Sequence, residues 1–485
     1  MYQNIIISAI EQLVRVTLQE DPLYIAPLPK SGSDRAYFRI QTPAETFIAT
    51  YNENVQENET FFYITEHFLS KGLPVPSILA INKSKTIYIQ KDLGKTSLLD
   101  VLEFEGHSEN VYNLFKKTIL KLAEVQVIGH QNFDYSKCLT SKDFGKDAIF
   151  SDLLYFKYYF LDTLKLAYDK QRLLNDFETL AVLLTDKEYH YFLYRDCQSR
   201  NIMVQENEVY FIDYQGGMQG ALQYDVAALL WQAKANLPQE WKDTLLTAYI
   251  EKLKTLIIEP IDLNKFKVQY NGYVLIRLLQ VLGAYGFRGI FERKAHFLTS
   301  IPLALNNLKI FLATWENTLV MPELEKVLNI IISKENIDKF QPVQANKNTL
   351  LIVDICSFSY KKGYPENNTG NGGGFIFDCR GILNPGRFEP YKRLTGRDKP
   401  VKDFLEQQTL MPDFLNNIYN TIDISVTDYI KRDFEHLSIA FGCTGGQHRS
   451  VYATDAMARH LKNKFNVKVN IRHLVQDAKN WINDQ

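Results

Sequence analysis

The chain has 485 residues, 46% of them apolar and 23% charged, with 55 Lys+Arg against 56 Asp+Glu and a net charge of −1. The length predicts two or three domains, the composition excludes wholesale disorder, and the near-neutral balance argues against binding nucleic acid through bulk charge. Five scattered cysteines without a Cys-x-x-Cys pair argue against a disulfide framework or a zinc site and point to a reducing cytoplasm.

Residues 1–20 space their apolar side chains helically around Glu11 and Arg15, which predicts an amphipathic helix and not a signal peptide. Up to about residue 90, the strand-like stretches AYFRIQT, TFIATYN and TIYIQ alternate with one helical segment, FFYITEHFLSKG. From about residue 97 amphipathic helical segments dominate, broken by the short strand pair NIMVQ and VYFID. No apolar run approaches the ~20 residues that cross a bilayer, so a soluble protein without a membrane partner is expected. Residues 336–348 are polar, contain Pro342, and read as a linker. From Asn348 onward 18 Lys/Arg face 15 Asp/Glu, and 11 of the 24 glycines fall there. The expectation is an α+β, bilobal, protein-kinase-like domain over 1–335, with a small lobe to about 90 and a helical lobe over 97–335. A compact α/β domain is expected over 349–485.

The segment YRDCQSRNIMVQENEVYFIDYQGG spans Tyr194–Gly217. Asp196 and Asn201 have the D-x-x-x-x-N spacing of a kinase catalytic loop, and Asp213 comes after them on the next strand. Phosphoryl transfer needs a base for the acceptor proton and hard oxygen donors that hold Mg²⁺ against the phosphates. Asp196 fits the base; Asn201 and Asp213 fit the metal ligands. Asp and Asn also cap turns commonly, but the order of these residues after a two-lobed pattern favours the kinase reading.

These motifs resemble the aminoglycoside phosphotransferases and choline kinases. IQKDLG is similar to the family's adenine-holding hinge, which makes Gln90 and Lys91 nucleotide-binding candidates, and the Tyr224–Asp225 segment resembles the brace of the catalytic loop. SGSDRAYFRI resembles the phosphate loop of the anomeric N-acetylmuramate and N-acetylglucosamine kinases, implying nucleotide contacts from Ser31, Gly32, Ser33 and Arg35. The Tyr273–Pro302 segment is also similar to theirs. Within it, Arg277 and Arg288 lie eleven residues apart, about three helical turns, and are candidates for clamping a substrate carboxylate or phosphate. Tyr194 stands where relatives have His. The third strand, TFIATYN, lacks the lysine that pairs the α- and β-phosphates; Arg35 and Lys30 are the candidate replacements. Glu57 and Glu59 open the small-lobe helix and could supply its αC-type carboxylate, but without that lysine they read first as charges favoured by the dipole.

The second signal is HLSIAFGCTGGQHRSV: a strand, a glycine turn and a helix start, where free N–H groups and the helix dipole favour an anion. Cys443, Thr444, Gly445, Gly446, Gln447, His448 and Arg449 form this candidate phosphate loop. Cys443 and Arg449 also spell the C-x₅-R of cysteine phosphatases, whose thiolate attacks phosphorus. With no partner loop carrying a general acid, a phosphate cradle without catalysis is preferred. GCTGGQHRSV, CSFSYKKGYP and FDCRGILNPGRFEPYKRLTGRDKPV together resemble the C-terminal domain of the RNase adaptor protein RapZ, with Ser359 where relatives show Gly. The resemblance implies binding of an amino-sugar phosphate, with Lys361, Asp378, Arg380 and Asn384 as secondary candidates, and in some members of small RNAs. The small charge excess of this tail gives RNA weak support. The combined expectation is an ATP- and Mg²⁺-dependent kinase for a sugar hydroxyl, an amino sugar at its anomeric position, with a sugar phosphate bound by the C-terminal domain. The alternatives are a choline or aminoglycoside kinase, or a non-catalytic regulatory or RNA-binding adaptor.

Overall fold

The computed structural model describes residues 2–28, 35–185, 190–292, 295–315, 319–341, 343–366 and 374–479. They divide into two compact units, Met1–Phe287 with Ser300–Ile337, and Arg288–Thr299 with Asp338–Gln485. Two expected boundaries shift accordingly. The helix Lys334–Phe340 runs into the stretch read as a linker. Arg288–Thr299 leaves the first unit because its short helix, Ala295–Leu298, neighbours the helix Met411–Lys431.

The first unit opens with the helix Tyr2–Leu18 and an antiparallel sheet of β1 (Tyr24–Pro27), β2 (Ala36–Gln41), β3 (Thr46–Tyr51), β4 (Ile78–Ile81) and β5 (Ile87–Lys91), in the order β1-β2-β3-β5-β4. Ile6, Ile10 and Val14 of the helix bury against Phe38, Ile40, Phe47 and Ile89 of the sheet. Their i, i+4 spacing makes the apolar stripe that the sequence shows. The helix Val55–Ser70 is started by Asn54, whose side chain accepts the Glu57 N–H. The helical part beyond the sheet starts with a capping box, Ser97 with Asp100.

Within the helices, β6 (His190–Leu193) pairs with β9 (Met218–Ala221), and β7 (Ile202–Gln205) forms a hairpin with β8 (Glu208–Phe211). The hairpin turn puts Glu206 at φ 51° and Asn207 at φ 63°. Two positive φ values define the type I′ turn, whose twist matches its strands and fixes the register Ile202↔Phe211. Asn201 and Asp213 therefore flank the open end of one hairpin.

No membrane-length apolar segment is expected from the sequence, yet the helix Leu263–Phe291 has the length and composition of one. It serves as a core helix: Phe266, Tyr273, Ile276 and Leu279 are buried, and it packs against the helices Lys146–Phe156 and Leu222–Leu230.

The second unit is built on a parallel sheet of β10 (Ile352–Ser359), β11 (Phe375–Asp378), β12 (His436–Cys443) and β13 (Lys468–His473), ordered β11-β12-β10-β13. The register aligns Ser359 with Cys443, so β10 and β12 end side by side. From there the chain leaves β10 for β11 and β12 for β13, in opposite directions along the sheet. Such a switch point opens a crevice at the carboxyl ends of the strands, where open α/β sheets bind ligands.

Candidate active site

Asp196 lies on a loop that three buried contacts hold in place. The Asp225 carboxylate accepts the N–H groups of Tyr194 at 2.7 Å and Arg195 at 3.0 Å, and Gln126 Nε2 at 3.0 Å. Burial pushes the Asp225 pKa up to about 7, against the N–H donors that favour its ionised form. Arg195, at φ 78°, sits in the left-handed region. Its guanidinium pairs with both oxygens of Asp152 at 2.9 Å, donates to the Tyr224 hydroxyl, and lies 4.5 Å from the centre of the Phe144 ring. Tyr194, in place of the usual His, donates its hydroxyl to the Ile212 carbonyl, a structural contact to the strand that leads to Asp213.

Asn201 donates Nδ2 to the Asp196 carbonyl at 2.9 Å, while its own carbonyl accepts the Ile212 N–H at 3.1 Å. The amide is thereby oriented with Oδ1 as its remaining donor to a metal. Asp213, at φ 69°, receives Gln215 Nε2 on Oδ1 at 2.8 Å. One amide oxygen and one carboxylate fit Mg²⁺, which takes one or two protein ligands and completes its shell with phosphate and water.

Arg35 Nη2 is 2.9 Å from Asp213 Oδ1 and 3.5 Å from Glu57 Oε1. Glu57 is thus more than a helix-start charge. Glu59 pairs instead with Lys85 at the surface. Of the expected nucleotide contacts, Ser31, Gly32 and Ser33 lie outside the described residues, as does Lys30. Gln90, on β5, has a buried Oε1 with no hydrogen-bond partner, while Lys91 is exposed and donates its backbone N–H to the Ser77 carbonyl. Beyond them Asp92 receives Arg39 Nε at 2.6 Å and closes the hinge turn on the Gly94 N–H.

Arg277 is 5% exposed and donates to the Tyr224 hydroxyl and to Gln280, both at 2.9 Å, with its Nε buried and unpartnered. Arg288 lies in the second unit, 5.7 Å from the centre of the Phe297 ring. The eleven-residue spacing is not three regular turns. At Gly286 the helix changes to π-type hydrogen bonding, which rotates the residues beyond it. Sequence reasoning passed over Asp152 altogether; an isolated Asp forty residues upstream carries no local signal.

In the second unit the turn after β12 enters the helix Arg449–Phe465. Gly446 takes φ 67°, a conformation that suits glycine, and its N–H reaches Cys443 Sγ at 3.2 Å. Ser450 Oγ is 3.1 Å from the same sulfur. Arg449 is 4% exposed; its Nη1 donates to the carbonyls of Arg380 and Ile382 at 3.1 and 2.7 Å, leaving Nε buried and unpartnered. Thr444 and Gly445 are exposed. Gln447 fastens the loop to the Leu394 carbonyl at 2.8 Å, and His448 to the Tyr391 carbonyl at 2.9 Å. Ser359 donates to the Thr444 carbonyl at 2.7 Å, joining the ends of β10 and β12. The secondary candidates divide. Lys361 is exposed beside Ser359. Arg380 pairs with Asp378 and covers the Tyr360 ring at 3.9 Å. Asn384 caps the turn at Gly386.

The first unit thus places a carboxylate on a braced loop beside an Asn/Asp pair on a hairpin, the set of groups that phosphoryl transfer needs. Residues 25–256 match the family model of the phosphotransferase enzyme family, and residues 351–476 that of the RapZ C-terminal domain. The chain therefore carries a phosphotransferase-family domain followed by a RapZ C-terminal domain, as the motifs imply. A curated nucleotide-binding protein of Endomicrobium trichonymphae is 36% identical over 159 residues, 33% of this chain and 50% of that protein. One from Shewanella halifaxensis is 38% identical over 129 residues, 26% of this chain and 43% of that protein. The chain thus spans about half the length of these relatives. Among solved structures, choline kinase LicA from Streptococcus pneumoniae superposes with a TM-score of 0.43 at 15% identity, covering 63% of this chain and 99% of that one.

Proposed function

We propose that the first unit transfers the γ-phosphoryl group of ATP to a sugar hydroxyl, that of an N-acetylmuramate- or N-acetylglucosamine-type amino sugar at its anomeric position. The observation that carries this reading is the juxtaposition of Asp196 and Asn201 through one hydrogen bond, with Asp213 at the far strand of the same hairpin. Asp196 takes the proton of the attacking hydroxyl. Asn201 Oδ1 and the Asp213 carboxylate hold Mg²⁺, which when bound neutralises charge on the phosphates. Gln90 and Lys91 line the adenine side.

Arg277 is consistent with this class of acceptor. It is buried and interacts electrostatically with Asp196 and Asp225, and it has no carboxylate in hydrogen-bonding range among the described residues. Such a guanidinium can receive an acceptor's hydroxyl or carboxylate oxygen, which a neutral or acidic sugar supplies. In the second unit, the loop Cys443–Arg449 serves as a cradle for a sugar phosphate. The exposed turn at Thr444 and Gly445 and the unpartnered Arg449 Nε support that role. The setting is the cytoplasm.

The test is ADP release from the full chain with N-acetylated amino sugars, choline and aminoglycosides, with the product's position read by ³¹P NMR. An anomeric phosphate on an N-acetylated sugar is expected. Turnover with choline alone would overturn the substrate class, and RNA retention without any turnover would favour the adaptor.

A further inference from the structure

We infer that Arg35, held by Glu57, does the work of the absent third-strand lysine: it grips the nucleotide phosphates and orients Asp213. The inference rests on the kinase reading of the first unit and adds Glu57 to it as a positioning residue.

β3 contains no cation at any of its six positions. A charge that meets the phosphates must therefore enter from another element. Arg35 directly precedes β2, whose first residue Ala36 pairs with Tyr51 at the end of β3. That register places Arg35 beside Asn52. Asn52 Nδ2 binds Glu57 Oε2 at 2.9 Å, which leaves Oε1 directed to Arg35. The helix start, the end of β3 and the entry to β2 thus converge on one guanidinium, only 11% exposed.

The donors are unevenly used. A guanidinium has five N–H donors, yet Nη2 alone serves both Asp213 and Glu57, while Nε is buried without a partner. A buried N–H of a charged group left without an acceptor is unfavourable, and a phosphate oxygen would supply the acceptor. Gln215 beside it also keeps a buried, unpartnered Oε1. Charge points the same way: two carboxylates face one cation, so the cluster accommodates Mg²⁺ as well. Arg35 and Gln215 both bind Asp213 Oδ1, which leaves Oδ2 for a metal.

The test is calorimetric binding of AMP-PNP with Mg²⁺, and separately of adenosine, to the full chain and to Arg35→Ala, Arg35→Lys, Glu57→Gln and the Arg35→Ala/Glu57→Gln pair. Arg35→Ala is expected to weaken AMP-PNP binding about tenfold to hundredfold, the scale of a hydrogen bond to a charged group, and to leave adenosine unchanged. Arg35→Lys should recover part of the loss. Glu57→Gln should cost less than Arg35→Ala and nothing further when Arg35 is already Ala, because its effect acts through Arg35. Equal losses for adenosine and AMP-PNP, or additive losses in the double variant, would overturn the inference, as would wild-type affinity in Arg35→Ala. If the unaltered chain fails to bind AMP-PNP, the kinase reading falls with it; if it binds and the variants match it, only the Arg35–Glu57 assignment falls.

Discussion

Asp152→Ala removes a carboxylate 44 residues from Asp196 in sequence, yet Asp152 holds Arg195, the neighbour of that proposed base. Asp152 and Arg195 form a two-pronged pair at 2.9 Å, with side chains 11% and 21% exposed. Removing one partner of so buried a pair leaves a guanidinium against Phe144 and Tyr224 without its counter-charge, a loss of about 3–5 kcal/mol. Arg195 is also held at φ 78°, and left-handed backbone costs about 1–2 kcal/mol that the pair helps to sustain. Freed of Asp152, the loop can relax that strain and carry Asp196, the next residue, out of line. At about 2–4 °C per kcal/mol, and taking the low end for a large unit, Tm should fall by at least about 6 °C. Misplacement of the base by about 1 Å should lower kcat about 10²-fold, with the KM for ATP little changed. Asp152→Asn, which keeps one acceptor, should fall between. The assay pairs a thermal melt of the full chain with steady-state kinetics at a temperature where every variant is folded. A variant that melts early yet keeps wild-type kcat would refute the positioning argument.

Asp196→Asn should retain nucleotide binding and lose about 10²–10⁴ in turnover, the scale of a lost general base, whereas Asp213→Ala should weaken Mg²⁺-dependent nucleotide binding; near-wild-type kinetics in either would remove that residue from its role. Cys443→Ser should still bind a sugar phosphate, whereas Arg449→Ala should lose about tenfold to hundredfold in calorimetry. Phosphate release that depends on Cys443 would replace the cradle with a phosphatase. Burial lowers the His448 pKa below its ordinary 6.5, so the unfolded chain binds the proton more tightly, and the stability from neutral His448 is lost as pH falls below 6.5. His448→Gln keeps a donor for the Tyr391 carbonyl, and its stability deficit in denaturant melts should shrink between about pH 7 and pH 5; a constant deficit would show that His448 does not titrate there.

The features legible in the sequence and those hidden in it divide along contact distance. The loop from Tyr194 to Gly217 could be read because its chemistry is local: base, amide and carboxylate lie within one turn and one hairpin, and the hairpin's register comes from a two-residue turn. The strand, turn and helix start around Gly445 and Gly446 were equally plain, because they are contiguous. Glu57 was undervalued because its meaning depends on Arg35, 22 residues away, and on Asp213, which is 178 residues from Arg35. Asp152 was invisible for the same reason. The spacing argument for Arg288 assumes regular α-helix, and the hydrogen bonding changes at Gly286. The place of Arg449 at the helix start makes it a candidate ligand contact, yet part of its guanidinium holds backbone carbonyls. The two uses are compatible, because fixing Nη1 on the protein presets where Nε stands. An arginine already immobilised loses less side-chain entropy on meeting an anion. The same holds for Arg35, tied at Nη2 with Nε to spare. In each unit the proposed anion contact uses an arginine that the fold has half satisfied, and its unpartnered Nε is the donor left for a ligand.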